Sequence, residues 1–443
     1  MFASPFSPRS VPENELWSFT ITGTIRTGVV VDADKDMYVA ATASGSDAFP
    51  YIYRVDISSN TPEYKWLESL DTTGSAIFGT PIVGNEDGRR VLYLAATTGG
   101  TSTNSDNTYI YAFATESLVA ATAANKRTDL LWTYPSSVSA SYSNVGEIKG
   151  GGALHHNGIL MFGTRSRGDP NYGGSNGVLA LQKGKRIWQF FTEDEHVSTN
   201  LIVDGPATPD GLTCCDFVYF VAGFEGRNTA HVFAIDVYTG EEQWRYLLQA
   251  PDDPEGPDAL GPPSFGSRED ILVGFGSTFY SINKRDGAEN WKHDVVGSGG
   301  GEFAAAAAVL DASYFIGNTA GKFFRFRPND DNSGVDQLEI LLVGQLGSIK
   351  SSPLIYGHSE VMVLDMTGKA EAWKLTGKNQ LWDYNFDATI SDGRQPAITS
   401  DGKILLGVSN AVVAIGGSGG CRAGFSTHEV EGTHYDFDRN RSA

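Results

Sequence analysis

The stretch of this sequence with the most reactive side chains is Cys214-Cys215-Asp216. An adjacent cysteine pair at the entry to a predicted strand reads as two strand residues, one or both buried. Successive strand side chains point to opposite faces, which resists the strained peptide that a disulfide between neighbours needs. Cys421 makes the cysteine count odd and is free to pair between chains in an oxidising compartment. His155-His156 offers two imidazoles to a metal, but neighbours in a strand or turn face apart, and no third ligand lies nearby in the sequence. The eight histidines show no triad spacing, so no acid–base constellation is expected. Asn329-Asp-Asp-Asn-Ser-Gly334 alternates oxygen-bearing side chains before a glycine, as calcium loops do. Ile340 stands where the bidentate glutamate belongs, so a solvated loop is the expectation. Asp32, Asp34 and Asp36 alternate similarly inside a hairpin turn. Gly416-Gly-Ser-Gly-Gly420 spells Gly-x-Ser-x-Gly, yet a nucleophile elbow needs a following helix, and a polar tail follows here.

The elements that must position these groups share one pattern. His231-Val-Phe-Ala-Ile-Asp-Val-Tyr-Thr-Gly-Glu-Glu-Gln-Trp244 reads as a strand, a tight Thr-Gly turn and a second strand closed by tryptophan. The pattern returns as Ile52–Val55 to Trp66, Ile110–Phe113 to Trp132, Val178–Leu181 to Trp188, Phe279–Ile282 to Trp291 and Ala370–Trp373 to Trp382. Phe323–Phe326 keeps the first half, with Leu341 or Leu342 where tryptophan is expected, and Val412–Ile415 has the first half only. Before each lies another strand pair, usually turned by Asp-Gly or Asn-Gly, as at Asn157-Gly158, Asp210-Gly211 and Asp401-Gly402. Eight units about 40–65 residues apart have the period of propellers and solenoids. Only Glu116–Lys126, rich in alanine, suggests a helix.

The eighth unit lacks its last strand, and Glu15-Leu-Trp17-Ser-Phe19 is an orphan last strand at the other end of the chain. Pairing the two closes a ring and removes the open edge a linear stack would leave. The expected fold is therefore all-β: an eight-bladed β-propeller of four-stranded antiparallel blades, the last closed by the N-terminal strand. Residues 1–14 would form an arm, 15–417 the propeller, and 418–443 a flexible or partner-docking tail. The balance of 33 basic to 53 acidic residues, a formal net charge of −20, argues against nucleic acid and anionic membranes as partners. No apolar run approaches the ~20 residues needed to span a bilayer.

The Ala-x-Asp-x-x-Thr-Gly-x-x-x-Trp pattern, clearest at Ala234, Asp236, Thr239, Gly240 and Trp244, resembles the quinoprotein (PQQ-repeat) alcohol-dehydrogenase-like β-propeller superfamily. The Ser351-Ser352-Pro353 and Thr80-Pro81 openings are similar to it too. The superfamily holds quinone-dependent dehydrogenases and also protein-binding propellers such as the outer-membrane assembly lipoprotein B. The resemblance implies that Trp17, Trp66, Trp132, Trp188, Trp244, Trp291 and Trp382 dock between blades rather than stack on a cofactor. It also implies a role for Cys214 and Cys215, because methanol-dehydrogenase-like members carry a similar Cys-Cys-Asp whose disulfide covers the quinone. In those enzymes the pair lies early in the propeller, whereas here it lies in the fourth unit. The family's calcium ligands and catalytic aspartate have no matching positions.

In a propeller the residues just before each inner strand ring the axis. Here they are Arg26, Lys149, Asn200, Glu302, Lys350 and Arg394, with Gln395 beside the last. Four of the seven are basic in an acidic chain. That suits an anionic ligand, an acidic glycan or a partner's carboxylates, or simply a hydrated axis. The expected role is a non-enzymatic scaffold that binds other proteins, copies of itself among them, or a glycan, as part of a larger assembly. The alternatives are a PQQ- and calcium-dependent dehydrogenase with Cys214-Cys215 as lid, and an extracellular structural repeat module. No cofactor is expected on the scaffold reading. An extracellular or cell-surface setting is the expectation, although Met1–Phe6 shows no secretory signal.

Overall fold

Strands of two to ten residues, separated by turn-forming residues, fold each repeat into an antiparallel sheet in the computed structural model. Described are residues 15–42, 49–70, 75–98, 108–116, 129–136, 145–165, 176–204, 216–224, 226–250, 257, 260–295, 300–330, 334–340, 346–356, 360–375, 379–390 and 395–416. Blades 1 to 8 comprise residues 24–69, 75–134, 153–191, 202–249, 264–294, 308–340, 354–385 and 397–415. Blades 1 and 2 each add a fifth, two-residue strand, Thr24–Ile25 and Ser75–Ala76. The eighth blade is completed by Glu15–Thr20, which pairs antiparallel with Ala411–Ile415. The ring closes as the orphan strand requires, in an eight-bladed propeller. The expected helix at Glu116–Lys126 falls almost wholly outside the described residues.

Strand alternation explains why the blades stack. In Phe217–Gly223 every residue is buried, because Val218, Phe220 and Ala222 face blade 3 while Phe217, Tyr219 and Val221 face blade 5. Repeated around the ring, this gives eight apolar clusters, each shared by two neighbouring blades. Each closing tryptophan lies in the cluster it shares with the following blade. Trp132, Trp188 and Trp244 lie under Gly184, Gly240 and Gly287, the turn glycines of the next blade. A Cβ at those glycines would come within 2.9, 2.8 and 2.7 Å of the indole. The same glycines take φ of 72°, 73° and 71°, so both the turn and the close approach demand glycine. Trp188 Nε1 donates to Val237 O at 2.6 Å and Trp244 Nε1 to Lys284 O at 3.1 Å, both across the blade boundary.

In seven blades a register shift lies beside the tryptophan, as between Ala234 and Ile235 opposite Trp244. Blade 6 pairs without a shift, and its register sets Leu338 opposite Arg325, the place of tryptophan in the other blades. Leu341 and Leu342, expected at that place, lie outside the described residues. Trp373 of blade 7, fully buried, packs with Phe315 and Phe323 of blade 6.

Polar groups are also built into the boundaries. Asp270 of blade 5 is 1% exposed and accepts from Ser281 Oγ at 2.8 Å, Tyr314 Oη of blade 6 at 3.0 Å and Arg268 N at 3.0 Å. Burial raises its pKa above the ordinary carboxylate value against the opposing pull of these bonds. A folded-state pKa above the unfolded one favours folding at low pH, and that contribution is lost as pH rises through it. Asp270→Asn removes the titration. The melting temperature of wild type minus that of the variant should therefore fall as pH rises from about 4 to neutrality. A constant or widening difference in scanning calorimetry would contradict this.

Candidate functional site

At the axis, short polar side chains stitch neighbouring inner segments together. Gly28 N of blade 1 donates to Thr80 Oγ1 of blade 2 at 3.0 Å, and Ala306 N of blade 6 to Ser352 Oγ of blade 7 at 3.1 Å. Two of the residues expected at the rim act likewise. Asn200 Oδ1 accepts from Gly151 N at 2.6 Å, and Gln395 Oε1 accepts from Ser352 N at 3.0 Å. Arg26 is exposed, its guanidinium 5.8 Å from the Phe78 ring centroid, while Lys149, Glu302 and Lys350 are half-buried. Arg394, Cys214, Cys215 and Cys421 lie outside the described residues. Glu302 supplies the one carboxylate among the six described residues of this ring. A calcium ion takes ~6–8 oxygen ligands, so this ring does not fit a calcium-held quinone.

Between blades 3 and 4 a cleft of about 170 Å³ is lined by Arg165, His196, Ser198, Gly223 and Phe224. Ligand pockets usually span roughly 300–1,000 Å³. Arg165 is already paired with buried Glu147, and Phe224 is covered by Arg227 at 4.1 Å. The cleft is therefore both small and internally neutralised.

At the opposite face of the same two blades three ligand-type side chains converge. His155 follows the inner strand Ala153–Leu154 of blade 3, and Asp216 leads into Phe217–Gly223 of blade 4. His155 Nε2 lies 3.5 Å from Asp216 Oδ1, the two imidazole centroids are 4.0 Å apart, and ligand atoms of His155, His156 and Asp216 all fall within 4.8 Å. Tyr238 Oη donates to Asp216 Oδ2 at 2.9 Å, and Asn157 Nδ2 donates to Tyr238 Oη at 2.6 Å. Burial first, then the Asp216 carboxylate, raises the Tyr238 hydroxyl pKa. This corrects the sequence reading of the histidine pair. The imidazoles do not diverge, because they sit in a turn that brings the rings together. The third group comes from the next blade, 60 residues along the chain, where sequence proximity gives no signal.

The outer strands hold a second feature that the tryptophan pattern left unread. Among the described residues, large exposed apolar side chains gather on blades 1 to 4. On the outer strands they are Tyr64 and Leu67 on blade 1, Leu130 on blade 2, Ile187 and Phe191 on blade 3, and Leu247 on blade 4, with Tyr238 in a turn of blade 4. Phe191 is 60% and Leu130 53% exposed. The signal was strand parity. Leu67, Ile187, Phe191 and Leu247 stand an odd number of residues from the inward tryptophan. The bulge turns Tyr64 and Leu130 outward despite their even spacing.

The architecture has solved counterparts. BamB from Moraxella catarrhalis is 12% identical and aligns over 91% of this chain and 99% of its own, with a TM-score of 0.57. Sqt1 from Saccharomyces cerevisiae is 11% identical over 92% of this chain and 99% of its own, with a TM-score of 0.59. The quinohemoprotein alcohol dehydrogenase from Comamonas testosteroni is 13% identical over 96% of this chain and 79% of its own, with a TM-score of 0.56. These likenesses concern the fold alone. No curated protein matches by sequence. The profile of the family described as outer membrane protein assembly factor BamB matches residues 115–375. Matched over more than half its length and built of eight such blades, the chain belongs to the PQQ-repeat β-propeller family of that assembly factor.

Proposed function

We propose that this propeller is a non-enzymatic scaffold that holds a protein partner on the outer strands of blades 1 to 4, as one unit of a larger assembly. The exposed apolar side chains on four consecutive blades carry this reading. Outer strands also present unpaired backbone groups to which a partner's strand can be added, with side chains such as Ile187 and Leu247 beside them. The family profile is named for an assembly factor, and the blades of this chain are packed solid against one another, which leaves edges and loops to carry specificity. The basic residues at the axis, Arg26, Lys149 and Lys350, suit carboxylates of the same partner.

Ile187→Glu, Phe191→Glu and Leu247→Glu combined should abolish co-purification of a stoichiometric partner from the cells that make the protein. The melting temperature should stay within a few degrees of wild type, since exposed positions change stability little. Sedimentation of the purified protein shows whether that partner is a second copy. Unchanged co-purification would overturn the surface assignment. A bound-quinone absorption band on adding pyrroloquinoline quinone with calcium would overturn the non-enzymatic reading.

A further inference from the structure

We infer that His155, His156 and Asp216 form a binding site for a divalent transition-metal ion such as zinc at the boundary of blades 3 and 4. Two ligands held about 2.0–2.1 Å from a tetrahedral zinc lie roughly 3.4 Å apart. His155 Nε2 and Asp216 Oδ1 are 3.5 Å apart, long for a direct hydrogen bond and right for a pair bridged by an ion. His156, whose ring centroid is 4.0 Å from that of His155, supplies the third donor within the 4.8 Å span of the group.

Burial gives the site a floor and a mouth. His155 is 0% exposed, Asp216 is half-buried and His156 is exposed, so the remaining coordination position opens to solvent. Mixed imidazole and carboxylate donors select zinc, cobalt or nickel over calcium or magnesium, which prefer all-oxygen sets. The supporting bonds are in place. Tyr238 Oη holds Asp216 Oδ2, and Asn157 Nδ2 holds Tyr238 Oη, which fixes Oδ1 toward the histidines. Coordination through His155 Nε2 puts its proton on Nδ1, so the 3.4 Å contact from the Asn157 amide to Nδ1 must yield. With three protein ligands and that adjustment, binding is weaker than at a four-ligand structural zinc site. A bound ion would tie the two blades together.

The test is zinc titration of the full-length, chelator-stripped protein by calorimetry, with cobalt absorption as a second reading. One equivalent should bind to wild type and to Cys214→Ser/Cys215→Ser. Binding should weaken at least about tenfold in Asp216→Asn and in Tyr238→Phe, which removes only the supporting hydroxyl. His156→Ala changes an exposed side chain and leaves the fold intact, so loss of binding there cannot be attributed to unfolding. The inference is overturned if zinc does not bind, if His156→Ala and Asp216→Asn bind as wild type, or if binding disappears only when the cysteines are replaced.

Discussion

Deleting residues 1–20 should leave the protein unable to hold a closed ring. The deletion removes Glu15–Thr20, whose pairing with Ala411–Ile415 supplies the outer strand of blade 8. It also removes Trp17, 7% exposed, from the cluster where it packs with Ile25, Met37, Tyr53 and Leu405. That cluster is the seam between the last blade and the first. Without it, blade 8 keeps three short strands, an open edge and an uncovered apolar face, the arrangement that templates aggregation. The neighbouring links, Lys403 Nζ to Ile57 O at 2.9 Å and Lys35 to Asp401 at 3.5 Å, cannot replace a buried strand. The truncated protein should aggregate or melt far below wild type in calorimetry paired with light scattering. An unchanged melting temperature and particle size would refute the closure.

Trp244→Ala and Trp291→Ala should each cost roughly 3–5 kcal/mol, the range for truncating a large buried aromatic. Trp244 is 8% exposed, bonded to Lys284 O and packed 5.8 Å from Tyr219. Trp291 is 4% exposed and stacks on Tyr314 of blade 6 at 6.2 Å. The same boundary can be attacked from the other blade. Gly287→Ala brings a Cβ to 2.7 Å from Trp244 at a φ of 71°, and should cost roughly 1–3 kcal/mol without touching the indole itself. Chemical denaturation measures all three. If the tryptophans instead served a ligand, Trp244→Ala, Trp291→Ala and Gly287→Ala would each keep wild-type stability.

The ring was legible because its signals are local. Thr239-Gly240 fixes a turn, Trp244 fixes a strand end, and the orphan Trp17 strand matches the one missing from blade 8. In blade 6 the register sets Leu338 opposite Arg325 with no bulge, and the presence or absence of a bulge leaves no mark in residue type. Trp373 reads in sequence simply as part of its strand, because its packing on Phe315 and Phe323 across a blade boundary is a three-dimensional fact. The same reason hid the cluster of His155, His156 and Asp216, whose members are joined by a contact between blades. At the axis, residue types suggested charge but not commitment. Asn200 and Gln395 prove to accept backbone hydrogen bonds from the neighbouring blade.

The scaffold account rests on where a partner sits, and site-specific photo-crosslinking in the living cell reads that directly. A photoreactive phenylalanine analogue would be placed at Ile187 or Leu247 on the exposed apolar strands, at Arg26 by the axis, and at exposed Asp383 on the outer strand of blade 7. The account predicts one discrete protein adduct from positions 187 and 247, a weaker one or none from position 26, and none from position 383. Adducts from position 383 equal to those from 187 and 247, or an adduct at position 26 alone, would contradict it.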